Sequence, residues 1–99
     1  MDRMTIPSSL GARRSETDRR LRQILRDVLG LGEAQVEGFD GATGLFGHIP
    51  ELDSMAVAGL LTEMEDRLGF VVEDDEVDAE MLETYGALLA FAEAKRAGA

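Results

Sequence analysis

Leu21, Ile24, Leu25, Val28 and Leu29 fall at i, i+3, i+4, i+7 and i+8. That spacing puts all five on one side of an α-helix and commits the segment to burying one face. Ser15 or Thr17 can cap this first helix, and Glu16 and Asp18 suit its positive end. Arg19, Arg20, Arg22, Gln23, Arg26 and Asp27 are expected to point outward, and Gly30 or Gly32 to end the helix. A second stripe, Val57, Leu60, Leu61, Met64 and Leu68, starts behind Asp53, a good N-cap, and ends at Gly69. Gly59 lies inside it at a cost of about 1 kcal/mol against alanine, so a reason for a small residue is expected there.

Between the stripes, residues 32–53 carry five glycines and Pro50, which oppose regular structure. Val36, Phe39, Leu45, Phe46, Ile49 and Leu52 are spaced along this connection and can pin it to a core. Loops this long in small domains are usually functional or disordered, and the apolar anchors argue for function. After the link Phe70-Val71-Val72, Glu73 to Asp78 is nearly all acidic, either a solvated loop or a first helical turn. Asp78 can cap a short third helix through Met81 and Leu82. Thr84 can cap a fourth, which buries Tyr85, Leu88, Leu89 and Ala92 and ends near Lys95 and Arg96. The expected fold is all-α: a four-helix bundle with a long first loop and a short third helix. Residues 1–14, with Pro7, Gly11 and no periodicity, read as a flexible leader, and 15–97 as the domain.

Charge and composition remove several function classes. Twenty acids against ten bases give a net charge of −10, which disfavours nucleic acid and favours partners with basic surfaces. The charge is lopsided: residues 1–30 sum to +3 and 31–99 to −13, with Arg67 the only cation between Leu31 and Ala92. There is no cysteine and one histidine, His48, so disulfides, thiolate zinc sites and multi-histidine metal sites are excluded. An EF-hand register starting at Asp74 would need Gly at its sixth position and Glu at its twelfth, but finds Ala79 and Tyr85. No apolar run is long enough to span a bilayer, and the first ten residues lack a secretory core. A cytoplasmic protein without membrane insertion is expected.

Ser54 stands out by position. It follows Asp53 and opens the second helix at the end of the glycine-rich loop. A side chain there is exposed beside unpaired backbone N–H groups, and a phosphate on its oxygen would sit in the positive field of the helix. His48, six residues upstream, suggests no triad and reads as an ordinary exposed loop residue, so a catalytic serine is not indicated.

Gly47-His48-Ile49-Pro50-Glu51-Leu52-Asp53-Ser54-Met55 resembles the modification segment of acyl carrier proteins, whose signature is Asp-Ser-Leu. The order of helices agrees over residues 15–97. Met55 stands where the family usually has Leu, a volume-conserving change. The wider segment from Leu45 to Val57 is also similar to carriers associated with bacterial exosortase and exopolysaccharide clusters.

The resemblance implies a non-enzymatic carrier. Ser54 would bear a 4′-phosphopantetheine arm and Asp53 would be the adjacent motif acid. Met55, Glu65 and Asp66 would face partner enzymes. Val57, Leu61, Met64, Val72, Leu82 and Tyr85 are the candidates to line the path of an acyl chain, although close packing favours plain core for most of the six. The implied partners are a phosphopantetheinyl transferase and the enzymes that load and accept acyl groups, visited by a monomer. Gly59 and Thr62 replace larger or acidic residues of many relatives and thin the acidic face. Two other readings keep the bundle: an acidic adaptor in which Ser54 is expendable, and a carrier of aminoacyl groups.

Overall fold

A computed structural model describes residues 15–98; the expected leader lies outside them. The element order is α1 (Glu16–Leu29), α2 (Glu33–Glu37), α3 (Ser54–Leu68), a 3₁₀ turn (Asp74–Glu76), α4 (Ala79–Glu83) and α5 (Tyr85–Gly98). The caps fall where side-chain chemistry puts them. Ser15 Oγ accepts from the Asp18 N–H at 3.0 Å, Asp53 from Ala56 at 2.8 Å, Asp78 from Met81 at 2.8 Å and Thr84 from Ala87 at 3.1 Å. Each satisfies an N–H that has no partner within its own helix. Gly30 and Gly69 close α1 and α3 with φ of 68° and 77°, a conformation that L-residues with a Cβ rarely adopt.

α1 packs against α3, α5 and α2, and α4 packs against α5. Leu21, Ile24, Leu25, Leu60, Met64, Tyr85 and Leu88 are fully or almost fully buried between them. Each such side chain contributes about 1.5–3 kcal/mol of transfer free energy. The third-helix stripe is split by depth. Leu60, Met64 and Leu68 are buried, while Val57 and Leu61 are half-buried against the core.

The connection between α1 and α3 is pinned as expected, by buried Val36, Phe39, Leu45 and Leu52 with Phe46 and Ile49 packed beside them. Two features of it were not expected. One is α2, a single turn and a half within the loop. The other is a strand-like pairing with the α4–α5 junction. Leu45 N–H donates to Glu83 O at 2.7 Å, Phe46 to Leu82 at 2.9 Å, Tyr85 to Thr43 at 2.8 Å and Gly86 to Gly41 at 3.1 Å. Gly86 permits this approach, since a Cβ there would lie 2.7 Å from the Gly41 carbonyl oxygen.

Arg22 corrects the sequence reading. It is not on the outer face but 7% exposed, inside the core. Its Nε donates to Asp18 Oδ1 at 2.7 Å, Nη1 to Val36 O at 2.6 Å and Nη2 to Phe39 O at 2.9 Å. The guanidinium lies 4.7 Å from the centre of the Tyr85 ring, and the Tyr85 hydroxyl donates to the Asp18 carboxylate. A buried charge is tolerated only when paired and bonded, and here the loop's own carbonyls supply the bonds. Nor does packing account for Gly59: a Cβ there would meet only Val28 Cγ1, at 3.9 Å.

Candidate functional site

Ser54 is the first residue of α3 and is exposed. No side-chain hydrogen bond ties its hydroxyl to the other described residues. Asp53 before it caps the helix twice, its carboxylate accepting from Ala56 N–H and its carbonyl from Val57 N–H at 3.1 Å. The amides of Ser54 and Met55 would need acceptors four residues back, before the helix begins, and so have no intrahelical partner. Asp53 therefore fixes where the helix starts, and Ser54 stands at its positive end with its oxygen unbonded.

Next to it, Met55 is 86% exposed, a large apolar side chain held in water. Asp66 is exposed as well. Glu65 is different. It is half-buried, and its Oε2 accepts from the Val72 N–H at 2.7 Å, which ties the link after α3 back onto the helix. Arg67 is engaged by acids on both sides, with Nη1 on Asp27 and Nε on Glu63, each at 2.8 Å. The Asp27 carboxyl is held below the usual carboxylate range, first by its bond to Arg67. The negative potential around α3 is thus left without a free cation of its own.

The six residues expected along an acyl path separate into two depths. Val57, Leu61 and Val72 are half-buried at the edge of the core, while Met64, Leu82 and Tyr85 are buried within it. Tyr85 is turned toward α1 and the loop, with its ring centroid 5.8 Å from that of Phe39. No Cα of α3 lies within 8 Å of a Cα of α4, so the backbones of these two helices stand apart. An open groove is lined by Phe46, His48, Ile49, Pro50, Asp53 and Ser54 itself. Sequence reasoning singled out His48 but not this groove, which depends on how the loop turns back beside α3.

No group of three or more His, Asp or Glu side chains among the described residues is placed to hold a metal ion. No helix among them is long and apolar enough to cross a membrane. Among the described residues no base is bonded to the Ser54 hydroxyl.

Comparisons with known proteins point the same way. Residues 19–92 match the family described as phosphopantetheine attachment site. The solution NMR structure of a holo acyl carrier protein from Nitrosomonas europaea superposes with a TM-score of 0.75 at 42% identity. The match covers 84% of this chain and 99% of that one. No curated protein matches. The fold and the site define a covalent carrier, not an enzyme. The chain belongs to the acyl carrier protein family, and its cofactor is covalent 4′-phosphopantetheine. The residues fit that group, because the helix start offers an exposed hydroxyl beside two unpaired amides. Its partners include a phosphopantetheinyl transferase and enzymes that handle acyl groups.

Proposed function

We propose that Ser54 is the attachment residue and that the protein presents acyl groups to cytoplasmic enzymes with basic docking surfaces. The observation that carries this is the exposed, unbonded Ser54 hydroxyl at the first position of α3, inside the segment matched by the family. In the loading reaction the Ser54 oxygen would pass its proton to a base of the transferase and bond to the phosphorus of coenzyme A's pyrophosphate. The phosphorus–oxygen bond to the adenosine bisphosphate breaks, and that nucleotide leaves. Once attached, the arm supplies a terminal thiol that holds an acyl group as a thioester.

The protein's own residues do the rest. Asp53 sets the helix start. Met55 and Asp66 offer an apolar and an anionic contact on the exposed side of α3. Val57, Leu61 and Val72 form the accessible apolar edge through which a chain would pass between α3 and α4, over Met64, Leu82 and Tyr85. The likeness of residues 45–57 to exosortase-associated carriers supports a specialised pathway rather than bulk fatty-acid synthesis.

Intact mass after incubation with coenzyme A and a transferase tests the assignment. The wild type gains one phosphopantetheine and Ser54→Ala gains none. Equal labelling of both would move the attachment elsewhere. Failure of both with several transferases would favour an adaptor without a prosthetic group.

A further inference from the structure

The groove beside Ser54 has a chemistry that the rest of the site lacks. From Asp27 to Asp66 the sequence contains no Lys or Arg. His48 is the one side chain in that span that can carry positive charge, and it lines the same groove as the serine. Its ring is seated by shape. It lies over Gly44, where a Cβ would stand 2.3 Å from His48 Cγ, so any larger residue at 44 would displace the imidazole. The backbone is held too, with His48 N–H donating to Leu45 O at 2.8 Å.

Of the acids nearby, Asp53 lines the groove with its carboxylate engaged by the Ala56 N–H, and Glu51 is exposed on the adjoining turn. Glu83 lies on the segment paired with the loop and is exposed. Phe46 and Ile49 are half-buried and leave apolar surface at the groove wall.

We propose that this groove seats the first part of the protein's own prosthetic arm, with protonated His48 pairing with the phosphodiester and Phe46 and Ile49 covering the dimethyl carbon next to it. This rests on Ser54 as the attachment residue. The tether selects the occupant: atoms bonded to the Ser54 oxygen start at the groove and have one end already fixed, so docking costs little entropy. Charge complementarity acts in the same direction, since a phosphodiester carries a single negative charge and every other ionisable side chain of the span is acidic. His48 is thus a positioning residue whose charged form sets the arm's starting direction.

Phosphorus NMR of the holo protein tests this, with the arm first verified by mass. A phosphodiester does not titrate between about pH 5.5 and 8, and His48 is the chain's single histidine. The wild-type resonance should move across this range, and the movement should be lost in holo His48→Gln. Nuclear Overhauser contacts from the arm's methyl groups to Phe46 and Ile49 should accompany it. A resonance that stays fixed in the wild type, or moves equally in His48→Gln, overturns the proposal while leaving the attachment intact. A protein that takes up no arm at Ser54 overturns the attachment, and the groove's occupant with it.

Discussion

The Tyr85 hydroxyl donates to the Asp18 carboxylate, joining the first residue of the last helix to the first turn of the first. Asp18 also receives Arg22, whose two remaining nitrogens hold the carbonyls of Val36 and Phe39. This buried network fastens the loop that leads to Ser54.

Removing Arg22 takes one charged partner from the buried Asp18 carboxylate and one donor from each of two loop carbonyls. Arg22→Met should therefore cost about 3 kcal/mol or more, measured by urea denaturation. Hydrogen exchange should rise most at the amides of residues 33–46. Arg22→Met combined with Asp18→Leu should recover part of the loss, since the buried carboxylate goes together with its arginine. Tyr85→Phe should cost about 1–2 kcal/mol by removing one bond to Asp18.

Gly59→Ala should stabilise the protein by about 1 kcal/mol, because alanine is the better helix former and its Cβ meets only Val28, at ordinary contact distance. A rise in thermal midpoint checks this. A fall would show that the residue is kept small for something outside the folded monomer's own packing.

Glu65 and Asp66 should part company under charge reversal. Asp66 is exposed, so Asp66→Lys should slow transfer to a basic partner with the melting temperature unchanged. Glu65 holds the Val72 N–H. Glu65→Lys should lose about 1 kcal/mol of stability in addition to any kinetic effect, while Glu65→Gln keeps the bond. Melting curves set beside transfer rates separate the two residues.

The Lys95–Glu76 pair gives a pH signature. Lys95 Nζ contacts both Glu76 oxygens, at 2.8 and 3.0 Å, and holds that carboxyl below its ordinary value of 4.5, helped by the Glu73 N–H. A carboxyl lowered in the folded state stabilises above its unfolded value, and the contribution is lost as pH falls through the folded one. The melting temperature of Lys95→Met should therefore fall below the wild type at pH 7. The gap should close as the pH falls below 4.5 and through the lowered folded value. A gap independent of pH would assign the effect to the lysine's aliphatic stem.

Much of this fold was legible because its determinants are local. The stripe from Leu21 to Leu29, the caps Ser15, Asp53, Asp78 and Thr84, and the exposed Ser54 each depend on residues within a turn or two. Arg22 was misread because its partners Val36, Phe39 and Tyr85 come from distant segments, and periodicity alone ranks an arginine as outward. A hint was present: Asp18, Arg22, Leu25 and Leu29 follow one another at i, i+4, i+7 and i+11 along a buried face. α2 escaped because Gly32 and Gly38 leave five residues with one buried apolar side chain, too few to show a period. The groove at His48 was hidden for the opposite reason, as no local pattern specifies how a glycine-rich loop returns to a helix start.

The pairing of residues 41–46 with 82–86 gives α4 a second set of attachments beside its packing on α5. Levering that short helix outward to admit a long cargo would strain or break its links to the strap that ends at Ser54. A displacement of α4 away from the bundle would therefore be felt along the loop that leads to Ser54.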